Sequence, residues 1–129
     1  MYPKPVGIAM RTAAVAIPMV LTLAACGGGG SGGESSGSIK VTMSEYGFDP
    51  SSITANRGKV VFYLVNAGTV PHDLIIRDSS NNRVLGSELI SAGDTFAFTI
   101  DSLPAGMYTF FCDQPGHESA GMKGTLNVA

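Results

Sequence analysis

The chain has no tryptophan, only two cysteines and two histidines, and charged side chains make up just 14% of its 129 residues. Each shortage excludes something. Cys26 and Cys112 alone cannot build a disulfide framework, and a single bridge between them is disfavoured because each cysteine has a more specific use. No segment carries a sustained apolar stripe of helical period, which argues against a helical bundle. No apolar run reaches the ~20 residues that a permanent membrane-spanning helix needs. Positive charge is also scarce: the net charge is −2, and without Lys4 and Arg11 it falls to −4. That balance argues against a nucleic-acid partner and leaves a basic protein surface as a reasonable one.

What is present is strongly segmented. Lys4 and Arg11 flank the start of an apolar run from Thr12 to Ala24, interrupted by Pro18, and Leu23-Ala24-Ala25-Cys26 follows. A basic start, a short apolar stretch and small residues before a cut point describe an export signal over residues 1–25. Leu-Ala-Ala-Cys before glycine is similar to a bacterial lipobox, which implies cleavage before Cys26 and lipidation of its thiol. Ordinary cleavage nearby would leave Cys26 free instead. Residues 26–37 contain little besides Gly and Ser, so the expectation is a flexible, disordered tether from a membrane anchor at Cys26. The folded domain is expected over residues 38–129, exported and facing a periplasm or the cell exterior.

Within that domain the apolar residues alternate or form short runs between turn signals. Strands are expected at Ile39–Met43, Ile53–Ala55, Lys59–Asn66, His72–Arg77, Thr95–Ile100, Gly106–Cys112 and Gly124–Val128. They are rich in Val, Ile, Phe, Tyr and Thr, and clusters such as Asn56-Arg57-Gly58 and Pro104-Ala105-Gly106 separate them. The pattern predicts an all-β fold, an antiparallel Greek-key β-sandwich. Tyr46 and Phe48 are expected to cover one end of the core, and Met43 and Met107 to fill it.

Between the last two strands lies Cys112-Asp113-Gln114-Pro115-Gly116-His117-Glu118-Ser119-Ala120-Gly121-Met122. Cys, His and Met recur with four residues between them, Pro115-Gly116 and Gly121 allow the chain to double back, and His72 supplies the other imidazole from a distant strand. A thiolate, two imidazoles and a weak thioether form the ligand set of a type 1 copper site, acceptable to both Cu(II) and Cu(I). Structural zinc would gain little from the methionine. The metal ligands expected are therefore His72, Cys112, His117 and Met122, around one copper ion.

These residues resemble the cupredoxins, the small blue copper proteins. The likeness rests on Glu45-Tyr46-Gly47-Phe48-Asp49-Pro50, Val70-Pro71-His72, Tyr108-Thr109-Phe110-Phe111-Cys112, Pro115-Gly116-His117 and Gly121-Met122-Lys123-Gly124. The four-and-four loop is most similar to that of the auracyanins, among relatives of the plastocyanin and azurin type. The resemblance implies a monomeric electron carrier that is not an enzyme and exchanges single electrons with redox proteins through the exposed edge of His117. Val70, Pro71, Pro115, Ala120 and Gly121 would surround that edge, with Glu118 and Asp113 adding acidity. One residue departs from the family pattern: Asp73 stands where asparagine usually follows the first histidine. The alternative function is periplasmic copper binding and delivery. An oxidase or reductase with further copper centres would need histidines that this chain lacks.

Overall fold

The computed structural model describes residues 36–129, so the expectations for the export signal, for Cys26 and for the linker up to residue 35 fall outside the described residues. Nine strands form two stacked sheets: β1 (Ile39–Ser44), β2 (Gly47–Asp49), β3 (Ser52–Ala55), β4 (Gly58–Asn66), β5 (Ile75–Arg77), β6 (Arg83–Gly86), β7 (Thr95–Leu103), β8 (Gly106–Phe111) and β9 (Lys123–Val128). One sheet runs β2-β1-β4-β7 and the other β3-β9-β8-β5-β6. No helix occurs among the described residues.

Alternation decides the inner faces. Along β4, Val60, Phe62, Leu64 and Asn66 point inward, while Val61, Tyr63 and Val65 are only partly covered. Along β9, Gly124, Leu126 and Val128 are buried and Lys123, Thr125 and Asn127 face water. Phe62 and Phe98 stack across the β4–β7 pair, and Phe48 meets Phe110 edge to face between the sheets. Phe62, Phe110, Met43, Leu64 and Leu126 are wholly buried; truncating such a phenylalanine to alanine typically costs about 3–5 kcal/mol.

The all-β sandwich read from the sequence is present, with four differences. The pairing is mixed rather than antiparallel throughout, because β1–β4 and β3–β9 run parallel. Two short strands, β2 and β6, carry too little apolar pattern to announce themselves. The strand expected from His72 begins only at Ile75, and His72 itself makes a single bridge to Ile90. Met43 is core as expected, but Met107 is 55% exposed, because Tyr108 and Phe110 occupy the inward register of β8. The β7-to-β8 crossover between sheets is fastened by the Tyr108 hydroxyl, which donates to the Pro104 carbonyl at 2.8 Å.

Candidate metal centre

One end of the sandwich gathers the four residues that the sequence singles out. Cys112 follows directly on β8 and Met122 directly precedes β9, so the loop between them is anchored at both ends. The Cys112 N–H donates to the Met122 carbonyl at 3.1 Å, and the Met122 N–H donates to the His117 carbonyl at 3.0 Å. Gly116 and Gly121 take φ values of 81° and 110°, the left-handed region open to glycine, where Pro115-Gly116 and Gly121 were expected to turn the chain. His72 enters from the other side. Its N–H donates to the Ile90 carbonyl at 3.0 Å and its carbonyl accepts from the Ile90 N–H at 2.8 Å.

Cys112 Sγ lies 3.8 Å from His72 Nδ1 and 3.4 Å from His117 Nδ1. One ligand atom from each of the three residues falls within 4.8 Å of the others. Two donors on one ion with bonds of about 2.0–2.3 Å sit roughly 3–4 Å apart, so this spacing fits a single small metal ion. Met122, like His72, is wholly buried, and Cys112 is nearly so. His117 alone of the four is partly exposed. A thiol, two imidazoles and a buried thioether are a borderline-to-soft donor set, which fits copper better than a hard cation.

Burial acts in opposite senses on the two buried donors that titrate. Burial, and next the neighbouring His117, hold the His72 imidazole below its ordinary pKa, against the opposing pull of Glu45 and Asp73, so it stays neutral with a lone pair free. Burial pushes the Cys112 thiol up, while the backbone N–H groups of Asp73 and Gln114 pull it back. A bound metal ion removes such a proton outright.

Residues outside the ligand set hold the loops. Asp73, the departure from the family pattern, accepts the Asp113 N–H at 2.7 Å through Oδ1, tying together the segments that carry His72 and Cys112. The Asp113 carboxylate turns away to Arg83, at 2.8 Å, rather than crowding Asp73. Glu118 is likewise occupied, pairing with Arg77 at 2.5 Å, and the Arg77 guanidinium lies over the Phe111 ring. The acidic fringe expected around His117 is thus largely paired with arginine. Tyr46 does not cover the core: it is 51% exposed and meets the His117 ring edge-on, 5.3 Å between centroids. Val70, Pro71, Pro115, Ala120 and Gly121, which the family resemblance sets around the edge of His117, are all exposed.

Two site-building residues escaped the sequence reading. Asn66, buried at the end of β4, donates through Nδ2 to the carbonyls of Val70 and Ile90 and accepts the Gly68 N–H, which shapes the approach to His72. Glu45 accepts the N–H groups of Thr69 and Val70 and the Thr69 hydroxyl. Those donors, the Thr69 N–H first, pull its pKa down to about 2. The only signals were that Asn66 ends an expected strand just before Ala67-Gly68, which reads as a turn, and that Glu45 opens one of the family-like motifs.

Comparison with known proteins agrees with this geometry. A family model described as a cupredoxin-like domain matches residues 13–128. A plastocyanin from Scenedesmus fuscus is 35% identical over 88 residues, covering 63% of this chain and 85% of that protein. A copper-resistant cuproprotein CopI from Rubrivivax gelatinosus is 28% identical over 107 residues, covering 70% of this chain and 65% of that protein. Among solved structures, dithionite-reduced auracyanin from Roseiflexus castenholzii superposes with a TM-score of 0.65 at 20% identity, covering 74% of this chain and 99% of that one.

Proposed function

The chain belongs to the cupredoxin-like family, and from that premise we propose that it is a single-electron carrier whose copper is held by His72, Cys112, His117 and Met122. The observation that carries this reading is the convergence of three donor atoms within 4.8 Å in a buried pocket from which only His117 reaches the surface. Copper bound there supplies a one-electron couple compatible with both imidazole and sulfur ligation. The chain's own residues do the rest. The sheet-borne ends of the 112–122 loop fix the thiolate and thioether, and Asp73 and Asn66 fix the His72 side. Burial of His72, Cys112 and Met122 excludes water. The partly exposed His117 ring, with Tyr46 edge-on against it, is the place for brief contact with a redox partner. On this reading the chain makes and breaks no bond in a substrate and is a carrier, not an enzyme.

The organisation around the domain belongs to the same proposal. Residues 1–25 direct export, Cys26 carries lipid, and the Gly/Ser stretch to residue 37 lets domain 38–129 sweep the membrane surface in reach of membrane-bound partners. Eleven linker residues extend to roughly 36–40 Å, and each buried lipid methylene contributes roughly 0.8 kcal/mol to anchoring. Among the described residues no helix is long and apolar enough to cross a membrane. The support for this part is the sequence pattern, and Cys26→Ser tests it: the protein should leave the membrane fraction.

The deciding experiment is an optical and electron paramagnetic resonance spectrum of the purified chain loaded with Cu(II). Intense visible absorption with narrow copper hyperfine splitting, bleached by mild reductant, is expected. A pale protein with broad splitting overturns the reading. A second function, copper binding and delivery, is favoured by the likeness to CopI. Rapid transfer of Cu(I) from the chain to a competing chelator would move that function to first place.

A further inference from the structure

We propose that Glu45 is a positioning residue for the metal centre, holding the His72 ring with its proton on Nε2 and enriching its Nδ1 as a donor. The inference rests on the copper reading above for its electronic consequence, but not for the contact itself. His72 is wholly buried, and its Nε2 has no hydrogen-bond partner. The nearest acid is Glu45, whose Oε1 lies 3.5 Å away, an ion-pair distance rather than a formed hydrogen bond.

The space between them is reserved. A Cβ added to Gly68 would lie 2.5 Å from Glu45 Oε1 and 2.9 Å from His72 Nε2, so a side chain at residue 68 would drive into this contact. Gly68 has no positive φ to explain it, and close approach is the reason for glycine there. Glu45 is itself held on three sides: its Oε1 accepts the Thr69 N–H at 2.6 Å, the Val70 N–H at 3.1 Å and the Thr69 hydroxyl at 3.3 Å. These bonds fix the carboxylate at the end of the loop that leads into His72.

The chemistry then follows from the tautomer. A neutral imidazole carries one proton, and Nδ1 is the nitrogen turned to Cys112 Sγ. Ligation through Nδ1 places that proton on Nε2, facing Glu45. A carboxylate behind a ligating histidine fixes the ring and raises its basicity. It therefore favours Cu(II) over Cu(I). The next residue, Tyr46, packs on the other imidazole, so one short corner between β1 and β2 addresses both histidines.

Glu45→Gln tests this with little change of shape, since its amide oxygen still accepts from Thr69 and Val70; Glu45→Ala removes both the charge and the acceptor. In the copper-loaded chain, Glu45→Gln should weaken Cu(II) binding relative to Cu(I) about tenfold, a rise of about 59 mV in a one-electron potential. In the metal-free chain, nitrogen-15 NMR should show His72 protonated at Nε2 in the wild type and a mixture of tautomers in Glu45→Ala. Unchanged potentials in both variants, or a wild-type His72 protonated at Nδ1, would overturn the proposal and leave Glu45 as a staple for residues 69–70. A wild-type chain that binds no copper in type 1 form would instead end the carrier reading, while the NMR result still decides the Glu45 contact.

Discussion

Asp73 Oδ1 accepts the backbone N–H of Asp113 at 2.7 Å, joining the residue after one candidate ligand to the residue after another. Asparagine would make the same bond with its amide oxygen, so the tie survives the departure from the family pattern and only the charge is new. Asp73→Asn should therefore preserve the site's spectrum and raise its reduction potential, because a negative charge that favours Cu(II) is removed. The cost in stability should be on the order of 1 kcal/mol, the difference between a charged and a neutral acceptor. Voltammetry checks this, and an unchanged or lower potential sinks it.

Met122→Leu isolates the thioether. The side chain is fully buried and the two residues have similar volume, so unfolding of the metal-free protein should change by less than about 1.5 kcal/mol. The potential should rise, because a copper ion held there would lose a thioether donor and its surroundings would become more apolar. A loss of stability without a change in potential would make Met122 core packing alone.

Glu118→Gln neutralises the acid that follows His117 in the sequence and frees Arg77. Both groups are partly exposed, so stability should change by no more than about 1 kcal/mol. The added positive charge should slow oxidation by a cationic inorganic complex at low ionic strength, with the difference fading towards 1 M salt. Stopped-flow rates that ignore the substitution at low salt would show that Glu118 steers nothing.

Asp78 provides a pH test away from the metal. It closes the turn between β5 and β6 by accepting the N–H groups of Asn82 and Ser80 through Oδ1, and these bonds, Asn82 first, hold its pKa below the ordinary aspartate value. A depressed folded pKa means that the contribution to stability is present above that ordinary value and is lost as pH falls through the folded one. Asp78→Ala should thus lower the melting temperature at pH 7 and converge with the wild type in strong acid. A difference that stays constant from pH 7 to pH 2 would show that the charge contributes nothing.

Much of the site was legible because its determinants are local. Cys112, His117 and Met122 share one loop, Gly116 and Gly121 mark where that loop must turn, and the scarcity of histidine left His72 as the only other imidazole. The strands showed themselves where one face is buried, as in β4 and β9, since alternation is a property of consecutive residues. The edge strand β6 is exposed along most of its length and left no such trace.

The sequence by itself determined the candidate donors, the all-β architecture and the turns of the loop that carries three of them, mostly through the identity and spacing of near neighbours. Tertiary structure alone decided that Glu45 stands behind His72, that Tyr46 packs on His117, and that Arg77 and Arg83 pair with the acids expected to add acidity around His117. It also decided the parallel pairings of β1 with β4 and β3 with β9. These contacts join residues such as Glu45 and Thr69, or Asp73 and Asp113, that lie 24 and 40 positions apart. Side-chain chemistry fixes what such residues can bond to, but which partner arrives depends on how two sheets stack and where their loops meet.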